Sequence, residues 1–251
     1  MNKMPTIFNE QNERLDTLVE GNEKSTITIV MVHGLGTDKH ETADLFDDVS
    51  HALIDVYRIV RFDFSGFGKS GGKTEDFDYH KHASDLNSLL DYVRRTYGGT
   101  IYIVAQSMGT FVTSLLNPSD SLKTVFMGIP NSNTQYIIER LTKRFSSKPG
   151  AYINIEGIST VPRSSGAIQK FGSQFWKTLK EFQPVHTVNE FSKHTELLII
   201  HPKQDDVVGI EFQKEYDDIP GIEIEWIDGD HSFKKPEERK VLIKVIKEFF
   251  D

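Results

Sequence analysis

Ala105-Gln106-Ser107-Met108-Gly109 sets a serine between small residues two positions before it and two after it. The run follows a strand-like segment, Thr100 to Ala105, and opens a helix-like one, Met108 to Leu116. A serine at so tight a strand-to-helix turn is a nucleophile elbow, because larger flanking side chains would clash with the neighbouring strand and helix. The helix N-terminus there favours a developing negative charge. The bland alternative is an ordinary helix N-cap. Two further groups suit the same chemistry. His201-Pro202-Lys203-Gln204-Asp205-Asp206 puts two carboxylates just past a strand-like run, and Asp230-His231 follows the last one. Ser107, Asp205 or Asp206, and His231 each follow a different strand. Active sites of open α/β sheets form at the strands' carboxyl ends, so the three would converge there. A serine activated by an imidazole that a carboxylate orients is an acyl-transfer machine.

The other histidines read differently. His80 and His82 stand two residues apart in a helix, a spacing that shares no face, so they are not read as a metal pair. His33-Gly34-Leu35-Gly36 follows the Thr26 to Val32 strand. A loop at that place supplies one backbone N–H to an oxyanion hole, and the residue after the nucleophile supplies the other. Those amides are Leu35 and Met108.

The elements that must hold these residues alternate. Strands are expected at Thr26 to Val32, Tyr57 to Phe64, Thr100 to Ala105, Leu122 to Ile129, Glu196 to His201 and Ile222 to Ile227. Helical spacing appears over Glu41 to Ile54, Tyr79 to Tyr97, Met108 to Leu116, Tyr136 to Phe145 and Ile210 to Ile219. A last helix starts at Pro236, with Val241, Leu242, Val245, Ile246, Phe249 and Phe250 as its buried stripe. Such alternation predicts an α/β fold with a mostly parallel sheet covered on both faces. The rhythm is lost from Asn131 to His194, where a Pro/Gly/Ser-rich middle precedes the aromatic stretch Phe171, Phe175, Trp176 and Phe182. A structureless loop of that length is improbable inside a compact domain, so residues 131–194 read as an inserted cap and residues 1–130 with 195–251 as the core.

Composition narrows the chemistry. The chain has 251 residues, 37% apolar and 26% charged, enough for one domain with an insertion. Without cysteine there is no disulfide framework, thiolate metal cluster or thiol nucleophile. A net charge of −8 with no basic block argues against nucleic acid as a partner. With no apolar run of membrane-spanning length and no apolar signal at Met1 to Glu10, a cytoplasmic protein is expected.

The segments Val32 to Gly36, Arg61 to Gly72 (RFDFSGFGKSGG), Val104 to Gly109, Ile199 to Val208 and Ile227 to Phe233 together resemble the α/β-hydrolase superfamily. Ser, Asp, His is also its chain order. Within it the chain looks like small bacterial cinnamoyl and feruloyl esterases and monoacylglycerol-lipase-like enzymes. The family pattern Gly-x-x-Asp-x-x-Val, aligned on Val208, selects Asp205, with Pro202 standing where the glycine is expected. Some relatives carry the acid after the strand before the cap, but Pro130-Asn131-Ser132-Asn133 holds no carboxylate. Asp63 matches a position that is structural in the family. The resemblance implies a serine esterase needing no metal or organic cofactor and acting on a small-molecule ester. A thioesterase, acyltransferase or amidase would use the same triad, and a non-catalytic binding protein is the remaining alternative. Gln106, Tyr136, Phe171, Phe175, Trp176 and Phe182 are the candidates for substrate contact.

Overall fold

The computed structural model describes residues 3–163 and 166–251; Met1, Asn2, Ser164 and Ser165 lie outside the described residues. The strands are β1 (Thr6–Phe8), β2 (Arg14–Gly21), β3 (Ile27–Val32), β4 (Arg58–Phe62), β5 (Thr100–Gln106), β6 (Ser121–Met127), β7 (Ser159–Pro162), β8 (Ile168–Phe171), β9 (Glu196–Pro202) and β10 (Ile222–Ile227). The α-helices are α1 (Leu45–Leu53), α2 (Tyr79–Thr96), α3 (Met108–Leu116), α4 (Thr134–Ser146), α5 (Ser173–Glu181), α6 (Pro184–Ser192) and α7 (Pro236–Phe250).

Eight strands form one sheet in the order β1-β2-β4-β3-β5-β6-β9-β10. From β4 to β10 all neighbours pair in parallel, and β1 and β2 join antiparallel at one edge. The chain winds outward from β3 to β4 in one direction and from β5 to β10 in the other. The switch point therefore lies between β3 and β5, where a parallel sheet opens a crevice at its carboxyl edge. Alternate side chains leave a strand on opposite faces. Val30, Val32, Val60, Ile103 and Ala105 pack on one face with Leu86, Leu89 and Leu90 of α2, Phe111 of α3 and Phe191 of α6. Ile29, Met31, Ile59, Val104 and Met127 pack on the other with Leu45, Phe46 and Val49 of α1 and Leu242, Ile246 and Phe250 of α7. This is the α/β-hydrolase fold.

Between β6 and β9 the chain makes α4, the antiparallel β7–β8 hairpin, α5 and α6. Asn133 caps α4 by accepting from Tyr136 N–H, at 3.0 Å. Phe191 of α6 stacks on Phe126 of β6. Through that contact α6 covers the sheet, and α4 through α5 lie between β6 and α6.

The β1–β2 hairpin carries no clean alternation, because buried Asp16 interrupts β2 to pair with Lys39 at 2.7 Å. Two expectations need correction. Ile210 to Ile219 is not an α-helix: it holds a single 3-10 turn, Gln213–Glu215, after Phe212 at φ 61°. Tyr216 Oη donates to Pro130 O at 2.9 Å and Gln213 Nε2 to Ile129 O at 2.9 Å, so tertiary bonds hold the segment in turns. In α7, Val241 faces solvent, while Glu238 and Arg239 are buried in its first turn. Arg239 there donates to Asp48 across to α1 at 2.5 Å. Among the described residues no helix is long and apolar enough to cross a membrane.

His82 and His201 are sealed in this core. His82 stacks between Phe64 and Phe77, and His201 stacks on Trp226. His80 faces solvent, so the two neighbours share no site. Burial pushes the imidazole of His82 well below its ordinary range and that of His201 down to about 4, against which nearby Asp205 acts only weakly. The unfolded chain binds protons at these histidines from about pH 6.5 downward and the folded chain does not, so stability falls as pH drops below about 6.5. His201→Phe is expected to shrink the loss of urea-unfolding free energy between pH 7.5 and pH 5 by about 1–2 kcal/mol. An unchanged pH dependence would contradict the assignment.

Candidate active site

β5 ends at Gln106 and α3 starts at Met108, so one residue makes the whole turn. Ser107 makes it at φ 52° and ψ −122°, a strained conformation for a side chain with a Cβ. Its N–H donates to Met127 O of β6 at 2.9 Å, and its carbonyl accepts from Thr110 Oγ1 at 2.7 Å. The Ser107 side chain makes no capping bond to α3, unlike an ordinary N-cap serine. The small neighbours are required by contact. A Cβ at Gly109 would stand 2.3 Å from Val32 O and 2.8 Å from His33 O, and Ala105 is fully buried.

Of the two adjacent carboxylates, Asp205 is the one brought to the imidazole. Its Oδ2 accepts from His231 Nδ1 at 2.7 Å, while Oδ1 accepts from the N–H groups of Val207 and Val208 at 2.9 Å each. Asp206 points to water, with its side chain 76% exposed. With Nδ1 protonated by this geometry, Nε2 of His231 is the lone-pair nitrogen. Burial alone would lower the His231 pKa, but the charge and hydrogen bond of Asp205, aided by Glu41, outweigh it and hold the imidazole above its ordinary value. The backbone of His231 is held as well: its carbonyl accepts from Gln106 Nε2 at 2.8 Å. A Cβ at Gly128, whose φ is +53°, would come within 3.1 Å of the His231 ring.

The loop after β3 forms the facing wall. Phe64 N–H donates to His33 Nε2 at 3.0 Å, so the His33 proton sits on Nδ1, which donates to Gly34 O at 2.8 Å. His33 thus ties the ends of β3 and β4 together. Gly34 lies so close to the serine that a Cβ there would stand 3.1 Å from Ser107 Cβ. Further along, Lys39 Nζ bridges Asp16 at 2.7 Å and Asp63 at 3.0 Å, all three side chains being buried. Asp63 also accepts from the backbone N–H of Lys39 and of Lys69, so it pins two loops and lies outside the cavity. Among the described residues, the N–H groups of Leu35 and Met108 donate to no acceptor in the protein.

A cavity of about 610 Å³ joins these parts; Ser107, His231, Leu35, Met108 and Gly34 line it. Its opposite wall comes from Ile137, Leu141, Arg144 and Phe145 of α4, with Lys148, Pro162 and Arg163 beyond. The aromatic candidates for substrate contact are elsewhere. Phe171, Phe175, Trp176 and Phe182 are buried against one another and against Phe77, Tyr79, Phe111 and Phe145. They form an apolar seam in which Phe175 and Phe182 meet Phe77, Tyr79 and Phe111, and Phe171 and Trp176 meet Phe145 of α4. Tyr136 is half-buried and off the cavity, its hydroxyl donating to Glu211 at 2.5 Å. Gln106 is also off the cavity, beneath His231.

Glu41 lines the cavity but belongs to no motif. Its Oε1 accepts from Gly34 N–H at 2.5 Å and from Thr37 Oγ1 at 2.9 Å, and its Oε2 from Thr42 N–H at 2.8 Å. A glutamate in a polar run carries no periodic or spacing signal, so only the folded loop reveals this clamp.

The fold and the serine turn together define an α/β-hydrolase scaffold, and comparison with known proteins agrees. A family model described as alpha/beta hydrolase fold matches residues 27–117. Est1E from Butyrivibrio proteoclasticus, solved with ferulic acid bound, superposes with a TM-score of 0.76 at 18% identity over 98% of this chain and 98% of that one. The Pyrococcus furiosus esterase Pf2001 superposes with a TM-score of 0.74 at 20% identity over 100% of this chain and 92% of that one. The esterase domain of a Rhodothermus marinus protein gives 0.72 at 18% identity over 99% and 97%.

Glu41→Ala leaves Gly34 N–H and two neighbouring donors without their acceptor. Unfolding in urea is expected to show a loss of about 1–3 kcal/mol. If Ser107 is a nucleophile served by the amides of this loop, its labelling by a fluorophosphonate should slow about tenfold or more, because one misplaced oxyanion donor costs that much or more. Labelling at the wild-type rate would show that Glu41 does not hold the loop.

Proposed function

We propose that the protein is a serine hydrolase of carboxylic esters, with Ser107, His231 and Asp205 as its catalytic triad. The observation that carries this reading is His231, paired with Asp205 at 2.7 Å, lining one cavity with a strained serine that caps nothing. The esterases among the superposed structures support the choice of substrate class.

Ser107 Oγ attacks the ester carbonyl carbon while its proton passes to His231 Nε2. The tetrahedral oxyanion is taken up by the N–H groups of Leu35 and Met108, donors held in place before the charge develops. His231 then gives the proton to the departing alcohol oxygen as the carbon–oxygen bond breaks, leaving an acyl-enzyme. Water attacks that ester with His231 as base, and the acid leaves with Ser107 restored. Asp205 keeps the proton on Nδ1 and stabilises the imidazolium. In this reading α4 to α5 is a cap whose α4 face closes the acyl or alcohol pocket.

Ser107→Ala should lose fluorophosphonate labelling and lower kcat for p-nitrophenyl esters by about 10³-fold or more, and Asp205→Asn by about 10⁴-fold. Wild-type turnover by Ser107→Ala would overturn the assignment. The base must be neutral, and Asp205 holds the His231 pKa up. The acid limb of kcat/KM is therefore expected to have its midpoint above the ordinary histidine value of about 6.5. Comparing oxyester, thioester and amide turnover decides the acceptor chemistry.

A further inference from the structure

The chain as a whole is acidic, with 29 Lys and Arg against 37 Asp and Glu. The cavity over Ser107 has the opposite balance. Arg144, Lys148 and Arg163 line it, and Glu41 is the one carboxylate among the described lining residues. The charge of Glu41 is already engaged by three hydrogen-bond donors of its own loop.

The cations are poorly neutralised. The carboxylate near Arg144 is that of exposed Asp206, 3.9 Å away, a separation and exposure at which an ion pair contributes little. Among the described residues Lys148 and Arg163 make no ion pair. Burial lowers the pKa of both, and each is lowered further by the neighbouring arginine charge, which places the three within one another's field. Arg144 is exposed, but Lys148 and Arg163 are half-buried, and half-buried cations left this way are costly unless an anion joins them. Helix polarity accounts for only part of the cluster. Arg144 sits in the last turn of α4, where a cation suits the negative end. Arg163 comes from the separate β7–β8 hairpin.

Arg163 is also placed relative to the chemistry. Its Nη2 donates to Gly36 O at 2.5 Å, one residue from the Leu35 amide. The field of Arg144 reaches His231. Between serine and cations, Ile137, Leu141 and Phe145 repeat every four residues along α4 and provide an apolar stretch.

We propose that the cavity selects esters bearing an anionic group, a carboxylate or a phosphate, on a short apolar chain. The anion sits among Arg144, Lys148 and Arg163 and the ester carbonyl at Ser107. This inference rests on the serine-hydrolase reading for its reaction and on the cation cluster for its selectivity.

The test compares p-nitrophenyl hexanoate with the mono-p-nitrophenyl ester of adipic acid, which has the same chain length and a terminal carboxylate. At low salt the ratio of kcat/KM, anionic over neutral, is expected to be about five or more, and to fall as salt screens the cations. Lys148→Glu should lower that ratio about tenfold or more, since it reverses one charge. Turnover of the neutral ester with a wild-type ratio near or below one, or a ratio that Lys148→Glu does not move, would overturn the anion site and leave the hydrolase intact. Failure of both esters together with no fluorophosphonate labelling would instead overturn the hydrolase. Calorimetry of wild-type protein with adipate and with glycerol phosphate then judges the cluster alone. Binding of either one supports it and shows which anion it takes, and binding of neither overturns it.

Discussion

The strand-to-helix turn at Ser107 is the constraint on which the rest of the site depends. For α3 to start immediately after β5, Gly109 must pass within contact of the Val32 and His33 carbonyls, where a Cβ would stand 2.3 Å from the first. That close approach forces Ser107 to φ 52° and lifts its side chain away from the helix it precedes. It also fixes the loop after β3 against the same turn, so Gly34 and Leu35 lie beside the serine. Since β3 and β5 flank the sheet's switch point, the turn and the loop diverge around a crevice that the topology leaves open.

Two buried ionic groups flank that crevice and differ in their access. Asp16, Lys39 and Asp63 are closed off, and every charge meets an opposite one or a backbone donor. Burial opposes the Lys39 ammonium, but its two carboxylates hold the pKa above the ordinary lysine value, so the bridge persists and pins the loop. Asp205 and His231 are held as firmly, by Val207, Val208 and Gln106, yet His231 opens to the cavity. The difference between a pin and a proposed proton relay is thus one of exposure, since both use charge-assisted hydrogen bonds.

The segment between β6 and β9 separates adhesion from selection. Phe175 and Phe182 fasten it to α2 and α3 through ring contacts with Tyr79 and Phe111, while Phe171 and Trp176 pack on Phe145 of α4. Having been used there, they leave the cavity wall to α4 and to the turn and hairpin that follow it. Tyr79 and Phe145 belong to both wall and seam, whereas Arg144, Lys148 and Arg163 lie outside the ring contacts, so the wall can change its charge with little effect on the seam.

Much of this was legible in the chain alone. The β-branched runs, the small residues around Ser107 and the order Ser, Asp, His are local patterns, and local sterics and periodicity produce the α/β alternation wherever they occur. Val208 and the family spacing select Asp205 of the two adjacent carboxylates. What the chain did not disclose arises from contacts between distant segments. β2 was hidden because Asp16 answers Lys39 and not its own strand's pattern. The turns of residues 210–219 are held by the carbonyls of Ile129 and Pro130. Gln106 and Glu41 act on groups that only folding brings near. Aromatic side chains look the same in a sequence whether they form a seam or a pocket, and three cations scattered between residues 144 and 163 carry no pattern. Tertiary structure decided these points, because burial and electrostatic neighbours are properties of the packed molecule and are not encoded in any single stretch of it.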